Sequence, residues 1–176
     1  VCHVYIDGGA DAAMAEEVAF NSKVHRPGVC NAAETLLVDR AIAAEALPRL
    51  AKRLAEANVE LRGDEATQSL LDGSGLGVTP VVESDWDEEY LDLVLSVKIV
   101  DGIGEAIEHI NTHGSGHTET IVTGDPAAAK RFQVEVDSST IFWNASTRFT
   151  DGAQFGMGAE IGISTDKIGA RGPMGL

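Results

Sequence analysis

Apolar, strand-like runs alternate with helical segments along the whole chain, and this alternation restricts the fold more than any other feature. "VCHVYID" (1–7), "TLLVD" (35–39), "VELRG" (59–63), "DLVLSVKIV" (92–100), "TETIVTG" (118–124) and "STIFWNAS" (139–146) read as strands. Between the first two, Asp11 to His25 is an Ala-rich helix with Asp11 placed to cap it. Residues 43–57 carry Leu47, Leu50, Ala51 and Leu54 at helical spacing, and Pro48 either starts or bends that helix. Residues 64–71 and Gly104–Thr112 read as shorter helices, the second stopped by "HGSGH", and Pro126 sits early in a helix running to Val136. "DGSGLGVTP" (72–80) reads as a loop. Strands joined through helices imply right-handed crossovers and a largely parallel sheet, so the expected fold is α/β with three αβα layers.

The bulk numbers bound the rest. A chain of 176 residues buries one core, on the order of 70% of its unfolded surface. No apolar run approaches the roughly 20 residues of a membrane-spanning helix, and the first residues lack the basic start and apolar centre of a secretory signal. Cys2 and Cys30 make a poor disulfide framework and point to a reducing, cytoplasmic setting. A net charge of −15 argues against nucleic acid, which needs clustered Lys and Arg, and reads instead as solvated helix faces. The chain opens in a strand without Met and closes on "ARGPMGL" without a terminal helix, which reads as a piece of a longer enzyme.

Cys30 is the residue that most invites a chemical reading. It follows "RPG", where Pro27 and Gly28 force a bend, and precedes "NAAE", which can form a helical turn starting at Cys30. A thiol at such a turn faces unpaired N–H groups and the positive end of the helix dipole, which favour thiolate and could hold an oxyanion. Arg26 would assist and Glu34 would oppose. A lone cysteine also reads as a small buried apolar residue, and both readings stay open on the residues alone.

"RPGVCNAAETLLV" closely resembles the catalytic-cysteine segment of the glutamate-5-semialdehyde dehydrogenases (γ-glutamyl phosphate reductases), the proline-biosynthesis branch of the aldehyde dehydrogenase superfamily. "DEEYLDLVLSVKIVD", "AIEHINTHGSGHTETIVT", "VDSSTIFWNASTRFTDGAQFGMGAEIGIST" and "ARGPMGL" resemble the same family in its order, so nearly the whole chain is covered. The resemblance implies an aldehyde dehydrogenase-like catalytic domain over 1–176, with the nucleotide-binding domain preceding residue 1. It implies that Cys30 attacks L-glutamyl 5-phosphate, expels phosphate and forms a thioester, which NADPH reduces to L-glutamate 5-semialdehyde. Glu89 matches the acidic residue that contacts the nicotinamide ribose. Asn144, Ser146, Thr147 and Arg148 match the loop that grips the substrate's tail, where an Arg fork suits a carboxylate. The glycines near Phe155, Gly156 and Gly158 would shape that pocket. The superfamily's general-base glutamate lies upstream of "CHVYID", and Gly169 stands where relatives carry a histidine. The partners implied are a small-molecule substrate and further copies of the chain in a homo-oligomer, with neither nucleic acid nor membrane; the isolated piece would be inactive as a reductase.

Other patterns compete. His109, His113 and His117 fall at i, i+4 and i+8, but Gly114 and Gly116 break the helix that would align them on a metal. A Cys–His hydrolase built on Cys30 is the rival enzyme class. "GSGLG" (73–77) lacks the Lys-Ser/Thr of a phosphate loop. A non-catalytic, self-associating module with exposed sheet edges is the remaining alternative.

Overall fold

The computed structural model describes residues 1–155, 160–163 and 172–175. The strands are β1 (Cys2–Ile6), β2 (Ala33–Asp39), β3 (Glu60–Gly63), β4 (Val78–Pro80), β5 (Val94–Val100), β6 (Thr118–Val122) and β7 (Thr140–Trp143). They form one sheet in the order β4-β3-β5-β2-β1-β6-β7, and every pairing within it is parallel. The helices are α1 (Ala12–Val24), α2 (Arg40–Glu56), α3 (Glu65–Leu71), α4 (Ile103–His113) and α5 (Pro126–Glu135). Two short strands, β8 (Glu160–Ile163) and β9 (Gly172–Gly175), pair antiparallel beyond this sheet.

Alternation along the strands divides the core in two. Val4, Ile6, Leu36, Val38, Val97 and Ile99 pack with α1 and α2, through residues such as Leu47, Leu50 and Leu54. Tyr5, Leu37, Val100 and Ile121 face the other way, onto Ile107 and Ile110 of α4 and Phe132 of α5. The sheet is therefore buried on both faces, as parallel sheets require, and the αβα expectation is met.

Local chemistry sets the helix starts. Asp11, Asp39, Asp64 and Asp125 each accept a backbone N–H of the helix that follows, all at 2.8 Å. Capping by Asp39 starts α2 at Arg40, so Pro48 lies inside the helix rather than at its start. The loop expected over 72–80 is corrected at its end. Val78–Pro80 joins the sheet as β4 beside β3, at the edge, where a proline leaves no ladder bond unmade.

Candidate active site

Cys30 lies at the edge of the sheet where the strands begin. Residues 27–31 form turns, the Ala32 N–H donates to the Val29 carbonyl at 3.0 Å, and the chain enters β2 directly at Ala33. The helical turn expected over "NAAE" is absent, and with it the helix-dipole account of thiolate. Pairing with β1 on one side and β5 on the other draws this segment into extended backbone against its local propensity. Cys30 is exposed and Cys2 is buried; the Cys2 thiol donates to the Cys30 carbonyl at 3.2 Å. Burial, followed by the nearby Glu119 charge, pushes the Cys2 thiol well up, so it remains an S–H donor at neutral pH.

Glu34 sits in β2, not on a helical turn after Cys30. It is buried against Lys23 at the end of α1, with 2.6 Å between Nζ and Oε2. Burial pushes Glu34 up and Lys23 down, each against the pull of the other. The free carboxylate oxygen of Glu34 accepts the Leu91 N–H at 3.3 Å, and a Cβ added at Gly28 would stand 3.5 Å from the Leu91 carbonyl oxygen. The acidic loop before β5 is thereby fastened beside the Cys30 loop. Glu89 is an exposed residue of that loop. Burial lowers the His117 pKa, while Glu119 and Glu89 pull it upward, which puts Glu89 within electrostatic reach of His117 at the start of β6.

The segment after β7 reaches the same edge by an unexpected route. Loops of open parallel sheets usually build sites where strands end, and "NASTRFTDG" follows the end of β7. Asn144 instead adopts a left-handed backbone (φ 55) and ties its side-chain amide to both the N–H and the carbonyl of Thr123, at 2.9 and 3.0 Å. The chain then doubles back along β6: Thr120 Oγ1 donates to the Ala145 carbonyl at 2.7 Å, and Thr118 and Thr150 hydroxyls meet at 2.8 Å. This return carries Ser146, Thr147 and Arg148 from the end of β6 to its beginning, where Cys30 lies.

All three are buried there. The Ser22 hydroxyl bonds the Ser146 hydroxyl at 3.1 Å and accepts the Thr147 N–H at 3.2 Å, latching the segment to α1. The Arg148 guanidinium is engaged within the protein. Nη1 donates to Asn31 Oδ1, Nε to His25 Nδ1 at 3.4 Å, and Nη2 to Asp151 at 3.1 Å. Arg148 is thus paired with an acid of its own segment, the partly exposed Asp151.

Cys30, Glu89 and Ser146–Arg148 are thus gathered at one edge of the sheet, while Asn144 stays at the opposite end as the turn that redirects the chain. Sequence reading missed Lys23, Asn31, Asp151 and the anchoring role of Cys2. Their partners are 11, 117, 3 and 28 residues away, and only the i, i+3 spacing of Arg148 and Asp151 is a local signal. The readings on Gly156, Gly158 and Gly169 lie outside the described residues.

The histidines assemble differently from their spacing. His109 and His113 rings lie 4.6 Å apart, but the further ring neighbours of His109 are His3 at 5.6 Å and Trp86 at 5.0 Å, while His117 turns to the Thr118 hydroxyl. Among the described residues, no group of three or more His, Cys, Asp or Glu side chains is placed to hold a metal. Among the described residues, no hydrogen bond joins a histidine to the Cys30 thiol. No described helix is long and apolar enough to cross a membrane.

No family model matches the chain. Whole-chain similarity is nonetheless extensive. A gamma-glutamyl phosphate reductase of Natronomonas pharaonis is 55% identical over 176 residues, which is 100% of this chain and 40% of the relative. A gamma-glutamyl phosphate reductase of Thermodesulfovibrio yellowstonii is 57% identical over the same length, 41% of the relative. The crystal structure of gamma-glutamyl phosphate reductase from Thermotoga maritima superposes with a TM-score of 0.92 at 49% identity, covering 99% of this chain and 41% of that one. More distant structures share the fold: a 1-pyrroline-5-carboxylate dehydrogenase from Thermus with bound NAD (18% identical, TM-score 0.64) and an engineered glycolyl-CoA reductase with bound NADP+ (17%, 0.63). The chain spans about two fifths of the length of the curated relatives it matches. Over its whole length, the chain is similar to gamma-glutamyl phosphate reductases, and its α/β fold is aldehyde dehydrogenase-like.

Proposed function

We propose that this chain is the cysteine-bearing catalytic part of an NADPH-dependent gamma-glutamyl phosphate reductase, converting L-glutamyl 5-phosphate to L-glutamate 5-semialdehyde and phosphate in proline biosynthesis. One observation carries the reading beyond the homology: the segments around Leu91 and Arg148, distant in sequence, are fastened to residues beside the exposed Cys30. The Cys30 sulfur attacks the acyl carbon, the C–O bond to phosphate breaks, and phosphate leaves with the bonding pair, giving a thioester. A dihydronicotinamide held by Glu89 would supply hydride to this thioester. Collapse of the resulting tetrahedral adduct breaks the C–S bond, leaves the bonding pair on sulfur as the thiolate and releases the aldehyde.

Glu89 accepts the ribose hydroxyls of the cofactor. An exposed carboxylate on a loop fastened beside the nucleophile fits that task, and the nicotinamide nucleotides of the distant structural neighbours support the cofactor class. Ser146, Thr147 and Arg148 wall the pocket for the amino-acid end of the substrate, which Asn144 shapes by redirecting the chain. Arg148 supplies the charge: its Nη2 exchanges the partly exposed Asp151 for the substrate α-carboxylate, while the Nη1 bond to buried Asn31 stays in place. The acting enzyme is a cytoplasmic homo-oligomer that needs neither nucleic acid nor membrane.

The test uses the full-length protein that carries this chain, run in reverse with glutamate 5-semialdehyde, NADP+ and phosphate. Reduction of NADP+ that requires phosphate and disappears in Cys30→Ala supports the reading. Sustained turnover without phosphate, beyond one NADP+ reduced per thiol, or full activity in Cys30→Ala, overturns it.

A further inference from the structure

Cys30 is exposed, yet the backbone around it is held from two sides. Its own carbonyl receives the Cys2 thiol proton at 3.2 Å, from a side chain with no exposed surface. The next residue, Asn31, is only 5% exposed and gives its amide oxygen to Nη1 of Arg148, itself 3% exposed. Nε of the same guanidinium reaches His25, five residues before Cys30, so one cation spans both ends of the turn that presents the thiol. Arg148 is in turn fixed by its own segment: Ser146 caps the Arg148 N–H at 3.2 Å and is latched to Ser22 of α1. Such an arrangement is more than a surface ion pair. Burying a guanidinium requires most of its donors to be satisfied, and here two of its three nitrogens are satisfied by the residues that flank the nucleophile.

We propose that Asn31 is a positioning residue for Cys30, the link through which Arg148 sets the geometry of the nucleophile turn. The inference deepens the functional reading above and rests on it for its kinetic consequence. Recognition of the amino-acid end of the substrate and placement of the sulfur then belong to one unit. A carboxylate that replaces Asp151 on Nη2 meets a guanidinium whose other nitrogens already hold the thiol's loop. Asn31 acts without touching substrate, so its loss affects the reacting geometry rather than binding.

Two variants of the full-length protein test this, Asn31→Ala and Asn31→Asp, the second keeping an acceptor for Nη1. Three quantities are read: kcat and KM for glutamate 5-semialdehyde, the unfolding midpoint in urea, and amide hydrogen exchange of residues 28–33. For Asn31→Ala, kcat should fall on the order of 10²-fold with KM within about two-fold, as a misplacement of about 1 Å would cause. Exchange in the 28–33 turn should rise while the central strands keep their protection. Asn31→Asp should recover most of kcat and of the protection. A rise in KM at constant kcat would overturn the proposal by making Asn31 a substrate contact. Equal losses in both variants, or unchanged exchange in the turn, would overturn it as well. Should the protein lack phosphate-dependent reductase activity altogether, the functional reading fails, while the exchange data still decide whether Asn31 holds the turn.

Discussion

The two ends of the parallel sheet are built by different rules. Where strands end, Asp39, Asp64 and Asp125 each cap a helix that begins at the next residue, and the longer tie of the Thr123 hydroxyl to Asp7, across 116 residues, is only partly buried. Where strands begin, the polar groups act at a distance. Asn31 pairs with Arg148 across 117 residues, Ser22 with Thr147 across 125, and His3 with Glu119 across 116. The end conventionally used by open parallel sheets carries the scaffold's caps, and the opposite end carries the exposed thiol. Local chemistry shapes the frame; long-range buried polar ties shape the candidate site.

The largest expected effect lies at the strand-beginning edge. Replacing Cys30 by Ala should reduce phosphate-dependent NADP+ reduction by a factor on the order of 10⁴ or more, with an unchanged unfolding midpoint. An effect that small substitutions at Asp64 or Asp125 could match would erase the distinction between the two ends.

Next comes the pH response of the histidine cluster. Burial lowers His109 from 6.5 to about 3, with the charges of His3, Lys98 and His113 adding to the effect and Trp86 closing over the ring. The unfolded chain takes up this proton near 6.5 and the folded one only near 3. The stability present above pH 6.5 is therefore lost as pH falls towards 3, by on the order of 4–5 kcal/mol in total. Urea titrations between these limits should show this slope, and His109→Leu should flatten it. A slope that survives the substitution would assign the acid response to other groups.

The Lys23–Glu34 pair comes third. Lys23→Met leaves a buried carboxylate without its cation and should destabilise by about 3–5 kcal/mol, while Lys23→Met with Glu34→Leu should recover most of the loss. A double variant as unstable as the single one would mean that Glu34 matters chiefly through Leu91. The smallest effect belongs to the caps: Asp125→Ala should destabilise by about 1 kcal/mol and leave hydrogen exchange in the Cys30 turn unchanged.

These contrasts explain what the sequence revealed. Strand and helix order was legible because alternation and capping are local, and the αβα layering followed from it. β4 escaped because three residues ending in Pro80 carry no periodicity of their own and become a strand only beside β3. The turn at Cys30 was misjudged because "NAAE" has helix-forming composition, whereas two neighbouring strands determine its backbone. Cys30 itself was singled out by the family resemblance of its segment rather than by local physics. Asn31, Lys23 and Cys2 were invisible as site residues, since nothing in the spacing of an asparagine or a lysine names a partner on another element.

Direct capture of the acyl intermediate tests the central claim most sharply. The full-length protein would be quenched in acid during turnover of glutamate 5-semialdehyde with NADP+ and no phosphate, and its cysteine peptides weighed by mass spectrometry. A γ-glutamyl mass on the Cys30 peptide, absent from the Cys2 peptide and discharged by added phosphate, is the predicted result. Turnover that leaves Cys30 unmodified, or an adduct on another residue, would contradict the account.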